Sequence, residues 1–144
     1  MVNENTLLVE LKDTLEADST YKRRIKQHGK SSKIIFGDAR PMINLPYVQF
    51  IITPNDIDFG SGASNILLLI NIYSREMGTG LPDYSEIESI AERIDTLFND
   101  ASISPTSHNV FAIYTEERQT VIRDRDRDKT YIGGLRCRIH AVKY

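Results

Sequence analysis

Residues 65–75, NILLLINIYSR, constrain this chain more than any other stretch. Ile66, Leu68, Ile70 and Ile72 fall on one side of an extended strand and Leu67 and Leu69 on the other, before polar Asn71 and Arg75. Side chains alternate between the faces of a sheet, so a strand apolar on both sides at its start belongs in the middle, covered on both faces there. The remaining sequence has to supply its neighbours and its cover. Residues 47–53 provide a second strand, with Val48, Phe50 and Ile52 alternating against Tyr47, Gln49 and Ile51. Residues 33–36 are long enough only for an edge strand. Residues 110–115, 119–128 and 131–142 read as three more, with Gly133 and Gly134 marking a bulge in the last.

Two segments have helical rather than strand spacing. Leu7, Leu8, Leu11 and Leu15 predict an amphipathic helix over residues 5–18, and Lys22, Arg23, Arg24, Lys26, Lys30 and Lys33 follow it with no acid between Asp18 and Asp38. The structural reading of that basic run is a complement to a helix C-terminus. Ser85-x-x-Glu88 reads as a capping box opening a helix whose Ile87, Ile90, Ala91, Ile94, Leu97 and Phe98 recur at offsets of three and four. Loops are expected at residues 41–46, 54–64 and 78–83. The order of elements predicts one α+β domain over residues 1–144: a mixed, largely antiparallel sheet, two main helices packed on one face, and a projecting charged β-hairpin.

Length and charge narrow the function classes. A chain of 144 residues with 40% apolar and 26% charged residues can bury one ordinary core, which excludes disordered and low-complexity chains. The longest apolar run, residues 66–70, is far short of the roughly twenty residues needed to cross a bilayer, so no membrane partner is expected. A single cysteine and no signal-peptide pattern behind Met1 predict a chain kept in a reducing cytosol. Residues 1–115 hold ten basic against fifteen acidic side chains, and residues 116–144 eight against five. That surplus is too small for tight duplex DNA binding.

The residues that carry enzyme chemistry do not assemble into a motif. His28, His108 and His140 lack zinc-site spacing, Cys137 has no C-x-x-C partner, and neither a nucleophile elbow nor a Walker loop is present. The sequence therefore predicts no catalytic residue, no cofactor and no metal. Cys137 shares the apolar side of the last strand with Leu135, Ile139 and Ala141, which makes it a small buried hydrophobe. Arg136, Arg138 and His140 then form a basic outer face. The DRDRD run imitates the start of a calcium loop, but Lys129 stands where glycine is required and Leu135 where a bidentate glutamate belongs.

The same run makes a charge pattern. As a strand, it points Val121, Arg123, Arg125 and Arg127 one way and Ile122, Asp124, Asp126 and Asp128 the other. Neither face can enter an apolar core, so the ribbon is expected to project. Two readings stand: a solvated hairpin, or a head-to-tail subunit contact of the kind that closes rings.

The leading helix, the Pro46-Tyr47-Val48 strand and the Asn71-Ile-Tyr73-Ser-Arg75 strand stand in a familiar order. With the helix from Ser85 to Ile94 and the ending from Arg123 through Tyr131 to Gly134-Leu-Arg, the chain resembles, over nearly its whole length, the tail-terminator (tail-completion) proteins of long-tailed bacteriophages. The resemblance implies a small α+β structural subunit of the virion that forms a homo-hexameric ring on the end of the tail tube. Such a ring stops tube growth and presents the head-joining surface. It implies as partners further copies of the chain, the tail tube protein and a head-completion or neck protein, with assembly in the host cytoplasm and DNA passing through without specific binding. Arg123, Asp124, Arg125, Asp126, Arg127 and Asp128 are then expected at the subunit interface, and Asp56 and Asp58 in the channel-facing loop. Other readings are another neck or connector ring, a small cytosolic enzyme or ligand-binding domain rimmed by residues 54–64 and 78–83, and a nucleic-acid adaptor using the basic run.

Overall fold

The computed structural model describes residues 4–37, 44–55, 63–99, 101–103 and 109–143. The elements are α1 (Glu4–Glu16), α2 (Ser19–Arg24), β1 (Ile34–Phe36), β2 (Tyr47–Asn55), β3 (Ala63–Arg75), α3 (Tyr84–Phe98), β4 (Ala101–Ile103), β5 (Asn109–Arg123) and β6 (Thr130–Lys143). The strands form one six-stranded sheet in the order β1-β2-β3-β6-β5-β4. Only β1 runs parallel to its neighbour; the other pairs are antiparallel. The α+β class and largely antiparallel sheet expected from the sequence are both present.

β3 and β6 sit at the centre, as the pattern of residues 65–75 requires. Ile66, Leu68, Ile70 and Ile72 are buried beneath the helices with Val48, Phe50, Leu135, Cys137 and Ile139. α1 contributes Leu7, Leu11 and Leu15, and α3 contributes Ile87, Ile90, Ala91, Ile94 and Phe98 to the same core. Leu67 and Leu69, on the opposite face, are only half-buried. Among the described residues no helix lies on that face, so the second cover expected at the start of β3 is not supplied by a helix.

Two local expectations need correction. α3 starts before Ser85: Asp83 is its N-cap, accepting the Glu86 backbone N–H at 3.0 Å. Aspartate caps a helix as well as serine does, and the Glu86 side chain is engaged elsewhere, accepting from the Ser74 hydroxyl at 2.6 Å. The helix expected over residues 5–18 is α1, and a further short helix that the spacing did not predict follows it, because Asp18 caps α2 by accepting the Tyr21 N–H at 2.7 Å.

The second correction concerns the bulge. β6 pairs with β3 without interruption through Gly133 and Gly134; the register shifts lie in β5, between Thr115 and Glu117 and between Gln119 and Ile122. The glycines serve close approach instead. A Cβ on Gly134, whose φ is +147°, would lie 1.8 Å from the Ile70 carbonyl oxygen. A Cβ on Gly133 would meet the Ile87 side chain at 2.7 Å and that of Val121 at 3.1 Å.

Candidate functional site

The expected alternating ribbon is not a strand beyond Arg123. β5 ends there, and residues 124–129 form the loop that returns the chain to Thr130. Aspartate side chains favour turns because they bond to nearby backbone. Here the Asp124 carboxylate accepts the Asp126 N–H at 3.0 Å, and the Asp124 N–H donates to the Thr130 carbonyl at 2.9 Å. Lys129 closes the turn with φ 55°. The arginines and aspartates therefore do not divide between two faces. Asp124 is buried, Arg125, Asp126 and Asp128 are exposed, and Arg127 is half-buried.

The loop is anchored as well as charged. The Arg127 guanidinium lies 5.9 Å from the centroid of Tyr47, whose ring stacks on Tyr73 at 4.5 Å. Arg123 sits 6.0 Å from the Tyr131 centroid and pairs with Asp128 at 3.5 Å. Beneath this stack, Gln49 Oε1 accepts from the Tyr73 hydroxyl at 2.7 Å and from Asn71 Nδ2 at 3.1 Å, while Gln49 Nε2 donates to the Gly37 carbonyl at 2.6 Å. A buried amide with its partners in place fixes the end of the sheet on which the loop rests.

Beside the charged loop stands a second one, expected from the sequence as a loop and, in one reading, as a pocket rim. Residues 76–83 join β3 to α3, and Met77, Leu81 and Tyr84 are 48%, 61% and 59% exposed. The segment is held in shape nonetheless. The Met77 N–H donates to the Leu81 carbonyl at 2.8 Å, the Gly80 N–H to the Met77 carbonyl at 2.9 Å, and Glu76 bridges to Pro82. Gly80 permits the turn with φ +83°. The loops are also tied to each other: the Glu76 N–H donates to the Lys129 carbonyl at 2.8 Å, and the Tyr131 hydroxyl to the Gly80 carbonyl at 3.2 Å. One end of the domain thus presents a preformed apolar knob beside a charged loop. Two glycines between Met77 and Leu81 were the available signal, since apolar residues at a tight turn cannot all reach a core.

The helix-free sheet face differs from the basic surface expected of Arg136, Arg138 and His140. One extra residue in β5 after Thr115 brings Glu116 and Glu117 to that face together. Glu116 accepts from Arg138 Nε at 2.6 Å and pairs with Arg136 at 3.5 Å, while Glu117 pairs with Arg136 at 3.7 Å. The arginines are neutralised in place. Alongside them Ile51, Leu67 and Leu69 are half-buried.

The basic run is partly used within the fold. Arg24 Nη1 donates to the Ser89 carbonyl at 2.7 Å, and Lys26 pairs with Glu86 at 3.2 Å. Asp18 receives both Nε and Nη2 of Arg93, at 2.8 and 2.7 Å. That hydrogen-bonded guanidinium lowers the Asp18 pKa to about 2, with the Tyr21 N–H adding to the effect against desolvation. Burial, with Lys26 nearby, pushes the Lys33 amine down. Cys137 is buried, and burial raises its thiol pKa to about 12, far from the range of a reactive thiolate.

Asp56 and Asp58 lie outside the described residues, as does His108. Among the described residues no three His, Cys, Asp or Glu side chains gather as a metal site would require. No described helix is long and apolar enough to cross a membrane. No protein-family model matches the chain, and no curated protein matches it.

Proposed function

We propose that this chain is a structural subunit of a phage virion, a tail terminator that assembles head to tail into a ring on the end of the tail tube. In this role it stops tube growth and offers a surface to the head-side neck protein. The observation that carries the reading is the end surface built from residues 76–84 and 122–131. Exposed Met77, Leu81 and Tyr84 stand on hydrogen-bonded loops, with Arg125, Asp126, Asp128 and Lys129 exposed beside them. Protein interfaces combine an apolar centre with a polar rim in this way, and loops already in shape lose little freedom on docking. A half-buried sheet face on the same subunit supplies a second surface, so one copy can contact two others. No cofactor enters this role, and DNA passes through the ring without specific binding.

The test is the length of tails assembled with and without the chain. Particles lacking it should carry tubes of unregulated length that fail to join heads, and added protein should restore both properties. Tails of normal length that join heads in its absence would refute the proposal.

A further inference from the structure

The end of α2 and its connection to β1 point to a polyanion: we propose that Arg23, Lys26 and Lys30, with Lys22 and Lys33 behind them, contact the phosphodiester backbone of a nucleic acid, weakly and without reading its sequence. This contact is separate from the ring reading above and does not depend on it. Residues 19–37 hold Lys22, Arg23, Arg24, Lys26, Lys30 and Lys33 and no acid. The carboxylates that the fold brings to this run are already engaged: Asp18 receives both bonds from Arg93 of α3, and Glu86 pairs with Lys26 and accepts from Ser74. With Arg93 included, and with Glu16 of α1 and Glu92 of α3 set against the run as well, seven basic side chains face four carboxylates. Arg23, Lys26 and Lys30 are exposed, while Lys22, Arg24 and Lys33 are half-buried. Burial first, and then the neighbouring Lys26, hold the Lys33 amine below its ordinary range, so the cations of this surface already crowd one another. An anion laid across them relieves that crowding.

What the surface lacks selects the kind of polyanion. Ile25 is the one apolar side chain between Lys22 and Lys33, and it is fully buried. A protein interface has an apolar centre from which lysine is depleted, and a lipid surface is held stably only when an apolar anchor accompanies the basic charge. This surface offers neither. Phosphate contacts require only the charge, and because residues 22–33 contain no Phe, Tyr or Trp on which a base could stack, the contact is with the backbone.

The chain also keeps a lysine where its backbone favours glycine. The Lys26 N–H donates to the Arg23 carbonyl at 3.2 Å and the Gln27 N–H to the Lys22 carbonyl at 2.9 Å, the two bonds that close a helix around a left-handed residue. That residue is Lys26, with φ 58°. Its side chain is 63% exposed, and an ion pair that exposed, here with Glu86, contributes too little to explain the choice. Strain retained at such a position is expected where the side chain serves a contact.

The experiment titrates the full chain into a fluorescent DNA duplex of about twenty base pairs and reads anisotropy. Three phosphate contacts give a double-logarithmic salt slope of about −2.7, so affinity should fall about fortyfold between about 0.05 and 0.2 M salt, alike for two unrelated sequences. Lys26→Gly should weaken binding and make the slope shallower by about 1, with the urea midpoint unchanged or raised because glycine accepts φ 58°. Arg23→Gln combined with Lys30→Gln should make it shallower by about 2, with an unchanged circular dichroism spectrum because both side chains are exposed. No binding at the lower salt, binding that these variants leave unchanged, or a preference between the two sequences would overturn the proposal. Weaker binding of Lys26→Gly accompanied by a lower midpoint would assign Lys26 to packing and overturn its place in the contact. A tighter hold on phosphatidylserine vesicles or on poly-glutamate than on the duplex would also overturn it, in favour of a lipid surface or an acidic protein.

Discussion

Replacing Gly134 with alanine tests the closest approach found at any described glycine. The new Cβ would start 1.8 Å from the Ile70 carbonyl oxygen, and real Cβ atoms essentially never come under 3.0 Å, so the two central strands have to part by more than 1 Å. The backbone also has to hold an L side chain at φ +147°, which costs about 1–3 kcal/mol. Forcing a group into a packed space adds about 1–3 kcal/mol, so the total is about 2–6 kcal/mol against a typical stability of about 5–15. At a urea slope of about 1.5 kcal/mol/M, the unfolding midpoint should fall by about 1–4 M. Two neighbours calibrate the measurement. Gly78→Ala meets nothing within 4 Å and should leave the midpoint unchanged. Gly133→Ala meets side-chain ends of Ile87 and Val121, which can move, and should fall between the other two. A Gly134→Ala midpoint equal to that of Gly78→Ala would refute the reasoning.

Asp18→Asn keeps an N-cap but removes the charge held by Arg93, so it should destabilise at pH 7. Because the folded pKa of about 2 is below the unfolded value, wild-type Asp18 stabilises above the unfolded pKa and loses that contribution as pH falls through the folded one. The gap between wild type and variant in urea midpoint should accordingly close between about pH 4 and pH 2. Ile90→Asp or Ile94→Asp puts an unpaired carboxylate into the buried face of α3 at a cost of several kcal/mol, and circular dichroism should show no folded protein. Cys137 should resist alkylation at pH 8 in the native protein and react once urea unfolds it, as a mass-shift assay would show.

The parts legible in the sequence were those set by side-chain period. The two-sided apolar start of β3, the alternation of β2 and the three-and-four spacing of α3 each led to the element observed, and Cys137 lies on the buried side of β6 as read. The candidate site was less legible because its features depend on breaks in period. A one-residue bulge moves Glu116 and Glu117 to one face, which inverts the reading of Arg136 and Arg138 as a basic surface. In the DRDRD run, the alternation of charge looks like a strand, but the Asp124 side chain bonds to the backbone of Asp126 and turns the chain. The knob was missed for a different reason. Met77 and Leu81 are apolar, and only the hydrogen bonds around Gly80 reveal that they point outward from a fixed loop.

The strand order carries a consequence for how the chain acquires its shape. β6 follows the other described strands along the sequence yet occupies the centre, joining β3 on one side and β5 on the other. On the ribosome, β1 to β3 and the β4–β5 pair emerge before the strand that unites them. Until residues 130–143 are released, β3 and β5 each present a long open edge, and β3 displays a row of isoleucines and leucines along it. Unpaired apolar edges are templates for joining other chains. Aggregation risk is therefore greatest before residues 130–143 pair with both edges, and chaperone dependence should be concentrated in that interval.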